Sequence, residues 1–410
     1  MALLSLAPLR HRNYALLWSG AFISNIGTWM ETVSIGAYVT ETTGRATWTG
    51  AVAAAGFVPI ALFAPLGGAL ADRMSRKTLL MTTTLVQTAF AVLLTILFVI
   101  GDPSPAIVTL CVFGGGVGAA LGFPAFMAML PDLVPEEDVP GAMGLSSAQW
   151  NLGRVVGPAL AGLVIHFAGF SWALGINSLS FLAVVGVLLV VTIPPPPPRD
   201  KQSIGMAIVE GARFVRRDPG LRVSVSAMSV NTFLAAPFIA LVPAMAEKVF
   251  DRGAKGTSVL VTAQGVGAVT MGLMLGSITH RYGSRRVVNT MLVALPPALI
   301  AYAYAPVLAV SAVTLVFVGA FYLGALSSFT TIAQLRAPAH LRGRVLAVHN
   351  LILGSLYPLG ALIQGRLADS IGLRATTAGA AVLLAVVVLG TRVVRPGITR
   401  PLDVSPAVAA

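Results

Sequence analysis

Runs of about 20 or more predominantly apolar residues recur along the whole chain, separated by short polar turns. As a helix rising about 1.5 Å per residue, each run is long enough to cross a hydrocarbon layer roughly 30 Å thick. In that layer every backbone N–H and C=O must be satisfied internally, and segments of this length do so as helices. About twelve spans are expected, over residues 13–40, 48–71, 78–100, 105–130, 141–167 and 171–193, then 221–247, 256–280, 287–305, 307–332, 345–367 and 375–394. With 56% hydrophobic and 10% charged residues, little chain is left for a soluble domain. The expected class is an all-α membrane protein whose first partner is the lipid bilayer.

A formal net charge of +12 raises the question of a nucleic-acid partner, but the cations lie between the spans rather than on one soluble face, so none is expected. Their placement reports topology instead. With a cytoplasmic N-terminus, the inside segments hold Arg10 and Arg12; Arg73, Arg76 and Lys77; the central loop; Arg281, Arg285 and Arg286; Arg336, Arg342 and Arg344; and the tail. The outside keeps Arg45, the group Lys248, Arg252 and Lys255, and Arg366 with Arg374. This excess of inside cations places both termini in the cytoplasm. The first span follows Arg10 and Arg12 as a signal peptide would, but its length and lack of a small-residue cleavage site favour a retained helix. Cys111 lies within a span, so there is no disulfide framework. No phosphate-binding loop of the Gly-x4-Gly-Lys-Ser/Thr type occurs, which argues against an ATP-driven pump. Neither metal-ligand spacing nor a Gly-x-Ser-x-Gly elbow is present, so neither an enzyme nor a cofactor is expected.

Five prolines at 194–198, followed by Arg199, Asp200 and Lys201, read as a stiff extended connector. They divide the chain into a six-span unit (1–193), a linker (194–220) and a second six-span unit with a short tail (221–410). Within the linker, Ile204, Ile208, Ala212 and Val215 recur at helical spacing beside Arg213, Arg216 and Arg217, the pattern of a short interfacial helix. The two units repeat one another. Gly157, Gly162 and Gly169 match Gly360, Gly365 and Gly372 at a constant separation of 203 residues. Independently, Gly68 followed by Asp72, Arg73, Arg76 and Lys77 is echoed by Gly276 followed by His280, Arg281, Arg285 and Arg286.

The fifth span carries the densest pattern: Gly144, Gly153, Arg154, Gly157, Pro158, Ala161 and Gly162. Gly153, Gly157 and Ala161 recur every four residues and form a smooth strip against which another helix can pack closely. Pro158 cannot donate a backbone hydrogen bond, so a bend is expected there. Arg154 costs roughly 2.5 to 3.5 kcal/mol in hydrocarbon unless it faces a partner or a wet cavity.

These phrases resemble the major facilitator superfamily over nearly the whole chain. Gly68 to Lys77 is similar to its loop signature between the second and third spans, and Gly144 to Gly162 to the fifth-span signature of its antiporters, with Ala161 replacing one glycine. Asn13, Tyr14, Leu17 and Trp18, Gly27 to Met30, and Leu130 to Glu136 resemble the exporter subfamily that includes enterobactin and macrolide efflux proteins. The resemblance implies two pseudo-symmetric six-helix bundles and proton-driven export of small molecules. It also implies that the Gly68 loop latches one conformation shut. Two positions depart from it: Glu31 stands where such exporters often carry glutamine, and His280 replaces the acid of the first loop copy.

Glu31 lies about 18 residues into the first span, near mid-membrane. Burial disfavours its charged form and a nearby arginine favours it, so a switchable proton site paired with Arg154 is expected. The plainer alternatives are a static ion pair or a carboxylate at a helix interface. Arg154 shares a helical face with Ser147, Trp150 and Asn151 and stays charged, as a fixed counter-ion to Glu31 or to an anionic substrate. Asp72, Arg73, Arg76 and Lys77 also serve as plain topology markers, and Asp132, Glu136, Glu137 and Asp138 form an acidic patch able to meet them. Cavity candidates are Asn25, Trp29, Met30, Phe123, Phe126, Gln149, Trp150, Asn151, Asn231, Gln264, His349, Asn350 and Tyr357. Core packing and ordinary interhelical bonding are the alternatives. Tyr357 occupies the repeat position of Arg154. The expected activity is efflux of an amphipathic small molecule by a monomer in the cytoplasmic membrane of a bacterium. Proton-coupled import on the same fold, or a receptor or scaffold without transport, are the rival readings.

Overall fold

The computed structural model describes residues 6–192 and 204–403; the proline connector lies outside them. Among the described residues there are fourteen α-helices and no strand. In the first half these are α1 (Arg12–Thr43), α2 (Ala46–Arg73), α3 (Arg76–Ile100), α4 (Pro105–Met129), α5 (Val139–Ala168) and α6 (Phe170–Val190). After the linker helix α7 (Ile204–Arg217) come α8 (Pro219–Leu234), α9 (Phe238–Lys248), α10 (Gly253–Tyr282), α11 (Ser284–Ala303), α12 (Leu308–Arg336), α13 (Ala339–Ile371) and α14 (Leu373–Val394). Eleven spans are long and apolar enough to cross a membrane, with α8 and α9 counted as one. The twelfth, α1, has 32 residues but is more polar, because it carries Asn13, Asn25, Glu31 and a run of threonines.

One expected span is broken. The apolar run 221–247 is interrupted at Ala235–Pro237, where the Asn231 carbonyl accepts from both Ala235 N–H and Ala236 N–H (2.9 and 3.1 Å). Pro237 has no N–H to continue the ladder, and Pro243 removes a second donor downstream. The α5 helix instead runs unbroken through Pro158. Ser75, Ser104 and Asp218 cap α3, α4 and α8 with their side chains. The turns after α5 and α13 pass through Gly169 and Gly372 at φ +86° and +90°, the same left-handed step in each repeat.

The repeat is visible in the packing. A methyl group at Gly157 would lie 2.5 Å from Trp29 Cβ and 2.7 Å from the Ile26 carbonyl, so α5 meets α1 almost backbone to backbone. Its counterpart Gly360 meets the Phe233 carbonyl and Pro237, at the first span of its own half. One turn on, the partner changes. Gly162 meets Ser258 of α10 and Gly365 meets the Ala46 carbonyl of α2, each across the seam between halves. The seam is built from α2 against α13 and α5 against α10.

The seam is tightest at the end remote from the termini, here the distal end. There the Asp369 carboxylate, at the end of α13, accepts from Ala46 N–H (2.7 Å), Thr47 N–H (2.9 Å) and the Thr47 hydroxyl (2.5 Å) at the start of α2. Lys248 pairs with the same carboxylate at 3.5 Å. In the other direction, Glu41 at the end of α1 accepts from Ala254 N–H at the start of α10 (2.8 Å). Each half thus caps a helix N-terminus of the other, satisfying free amides at the positive end of the helix dipole. Toward the terminal end the facing surfaces separate. Trp150, one turn before Arg154 on its own face, is 48% exposed, and Asn350, two turns before Tyr357, is exposed as well.

The linker helix α7 does form, and it docks on the second half. Gly211 lies against the Arg344 backbone of α13, Glu210 pairs with Arg344, and Val215 is buried with Leu221, Ala333, Ala337 and Val345. Beside it, Arg336 holds Asp218 through two bonds (2.8 and 3.0 Å) and donates to the Pro401 carbonyl (2.8 Å), fixing the tail whose Leu402 is buried in the second-half core. Burial alone would raise the Asp218 carboxyl; the bonds from Arg336 and the Leu221 N–H outweigh it and hold the group below its ordinary value.

Gly157→Leu is expected to destabilise the chain in detergent by about 1–3 kcal/mol, the usual cost of overpacking. Gly186→Leu, where a side chain meets nothing within 4 Å, leaves the melting temperature unchanged. Thermal unfolding of the two variants beside the parent measures the difference.

Candidate functional site

At mid-depth, where the distal contacts give way to the separated faces, the seam holds a cation. Arg154 of α5 is 8% exposed, and among the described residues it makes no hydrogen bond and no ion pair; its Nε is buried without an acceptor. Trp29 of α1 lies beneath the guanidinium, 5.4 Å from ring centroid to Cζ, a distance at which the ring quadrupole attracts the charge. Tyr322 of α12 and Tyr357 of α13 approach from the other half, within electrostatic reach of Arg154. Tyr357 also packs edge-on against Phe57 of α2 (4.7 Å), and Tyr322 against Phe238 of α9 (5.8 Å).

Local sequence explains this placement. Gly153 and Gly157 bring α5 close enough to α1 for Trp29 to lie under Arg154, with Asn25 filling the turn below. Pro158 has no N–H for the Arg154 carbonyl four residues earlier, which freees that oxygen from the helical ladder. The freed carbonyl faces Gly265 of α10, where an added methyl would stand 3.0 Å from it. A weak Cα–H to carbonyl contact suits that approach.

The expected Glu31–Arg154 pair is corrected. Glu31 accepts a hydrogen bond from Asn177 Nδ2 of α6 and has no contact with Arg154. The reason is angular. Trp29 faces α5, and two helical residues further the direction has turned by about 200°, toward α6 and α4. There Glu31 is partly buried, with Cys111 of α4 within electrostatic reach. Asn177 is thus the hydrogen-bond partner of the one acid of α1 near mid-span.

The other cavity candidates divide. Trp29, Tyr357 and Arg154 come together. Met30 is core, packed with Val33, Phe238 and Leu241, and Phe126 packs on the first-half core. Phe123 and Trp150 are exposed. Asn151 donates to the Ser147 carbonyl of its own helix (2.8 Å), and His349 Nδ1 lies 3.1 Å from the Val345 carbonyl. Gln149, Asn231 and Gln264 are buried, and each has a side-chain polar atom without a partner, as does His349. Asn25 is buried beside Gly153, and Asn350 is exposed.

In the terminal-end loop, Arg76 is 3% exposed, pairs with Asp132 of the acidic patch and donates to the Ala128 carbonyl (2.9 Å). Lys77 donates to the Val191 carbonyl at the end of α6 (2.8 Å). Asp72 and Arg73 are exposed on the same turn. Gly68 and its repeat partner Gly276 have nothing within 4 Å of an added methyl, so neither is needed for packing in this conformation. Gly144 is part-buried in the second turn of α5, and Gly162 belongs to the distal seam. Among the described residues, no cluster of metal-ligating side chains occurs.

Comparison with known proteins agrees with this geometry. Residues 4–406 match the model of the family described as transmembrane secretion effector. The multidrug efflux pump Tap of Mycolicibacterium fortuitum is 27% identical over 88% of this chain and 90% of that protein. Macrolide efflux protein A of Streptococcus pyogenes is 26% identical over 87% and 89%. Among solved structures, a D-xylose–proton symporter superposes with a TM-score of 0.75 at 12% identity (95% and 99% covered). A bacterial homologue of the human lysosomal transporter Spinster, inward-facing and occupied, gives 0.74 at 15% (97% and 99%). With eleven spans among the described residues long and apolar enough to cross a membrane, and a family match over nearly its whole length, the chain belongs to the transmembrane secretion effector family of the major facilitator superfamily, and it is a multi-pass membrane transporter rather than an enzyme.

Proposed function

We propose that the chain exports small amphipathic molecules from a bacterial cytoplasm across the inner membrane, in exchange for protons, by alternating access. The basic loops put both termini and the terminal end in the cytoplasm. The structure is then closed on the outside by the Glu41 and Asp369 caps and parted on the inside at Trp150 and Asn350. Export as the direction of transport is supported by the two relatives named for efflux.

The observation that carries the coupling is Glu31. Its carboxylate sits at mid-span with a neutral amide, Asn177, as partner. It therefore gains or loses a proton without breaking an ion pair, which keeps the cost of switching low. The open surroundings of Gly68 and Gly276 leave room for the contacts of the opposite state, in which the Gly68 loop latches the inner end.

In proteoliposomes under an imposed pH gradient, substrate-dependent proton movement by the parent is expected to fall at least tenfold in Glu31→Gln. Unchanged proton movement in that variant removes Glu31 from the coupling step. For the outer closure, spin labels at Asp102→Cys and Val307→Cys, on exposed distal turns of the two halves, report the opening. Combining Glu41→Gln with Asp369→Asn is expected to raise the population with the longer label distance at least tenfold; an unaltered distance distribution shows that the caps do not hold the seam.

A further inference from the structure

We infer that the mid-seam site recognises a negatively charged group, a carboxylate or an ionised enol or phenol, borne on a flat aromatic or apolar body, with Arg154 as its counter-ion. The inference rests on the transport reading of this seam and names the substrate class that the site takes.

Arg154 is charged at all working pH values, nine-tenths buried, and without any acidic neighbour in contact. A buried cation is normally matched by an anion or by several acceptors. Here the acid expected to match it, Glu31, points to Asn177 instead. What surrounds the guanidinium is an indole face from α1 and two phenols from α12 and α13. From α10, the element packed on the Arg154 backbone, comes Gly265, which has no side chain to offer. This inventory is rich in donors: five guanidinium N–H groups and two phenol hydroxyls. It contains no carboxylate. A ligand anion supplies the missing charge, and the guanidinium fork accepts a carboxylate in two parallel bonds. The aromatic side chains gathered around the guanidinium, Trp29, Tyr322, Tyr357 and Phe57, favour an aromatic or apolar body on the same ligand over a strongly polar one.

The position of these groups adds a consequence. Trp29 and Arg154 belong to the first half and the tyrosines to the second, so a bound anion is held from both sides of the moving seam. A cationic ligand meets uncompensated positive charge there, and a neutral one leaves Arg154 without its counter-ion.

The test compares 2-naphthoate with 2-naphthamide, which share a ring system and differ in charge, by calorimetric titration of the full chain in detergent. The parent is expected to bind the acid at least tenfold more tightly than the amide. Arg154→Gln reduces the ratio to about one, whereas Arg154→Lys keeps a preference for the acid. Equal affinity for acid and amide in the parent overturns the proposal, as does a preference that survives Arg154→Gln, or absence of naphthoate binding at millimolar concentration. The parent ratio and Arg154→Lys decide the matter even if Arg154→Gln does not fold. Because binding is read without a gradient, a failure of export or of proton coupling leaves these outcomes intact and shows only in vesicles.

Discussion

Helices surrounded by lipid gain little from hiding apolar surface against one another, since lipid tails are as apolar as leucine. What holds such a bundle is contact at short range, and here it depends on the absence of side chains at a few positions. Gly157 lets α5 touch α1, Gly360 lets α13 touch the α8–α9 break, and Gly267 with Gly319 brings the backbones of α10 and α12 together. Where the same spacing reaches the seam, at Gly50, Gly162 and Gly365, the contact crosses between halves. Dispersion forces fall off steeply with distance, so close approach of this kind is rigid within a bundle and separable in one step along a seam. The Arg154 site exists because α1 and α5 are locked in this way.

Much of the architecture was legible in the sequence, because apolar run length is set by the bilayer rather than by tertiary detail. The 203-residue echo from Gly157 and Gly162 to Gly360 and Gly365 also reported packing correctly, since a helix crossing needs a small residue whatever its surroundings. The break at Ala235–Pro237 was hidden inside a continuous apolar run: composition there says membrane, and only the loss of the Pro237 donor says interruption. Glu31 shows the limit most clearly. Its depth follows from counting residues, but its direction depends on which face of α1 the glycines of α5 claim. Trp29 takes that face, and Glu31 is turned away by two residues of helical rotation. Glu41 and Asp369 were passed over because carboxylates at the ends of apolar runs look solvated until the neighbouring helix start is in place.

The two halves are similar without being equivalent. At the repeat position of Arg154 stands Tyr357, and the two residues meet across the seam as unlike partners. Asp369 has His166 as its counterpart, and the amide that His166 does not serve is taken by Glu41 from a different helix. Duplication thus supplied the frame, and divergence at single positions gave charge to one side of the centre and an acid cap from each half to the distal closure.

Those caps carry a consequence for how the distal closure yields. When the seam opens, the first turns of α2 and α10 become bare at the membrane surface, where water replaces the lost carboxylates as acceptor and hydrates Glu41 and Asp369 in turn. The exchange is of bond for bond, so each hydrogen bond of a cap is worth only its net gain over hydration, about 1.5–3 kcal/mol. A fully buried ion pair would have to be torn apart in hydrocarbon, whereas the Lys248–Asp369 pair beside the cap is part-exposed. The distal closure therefore behaves as a clasp that solvent can undo, strong enough to bias one state and weak enough for a bound ligand to reverse it.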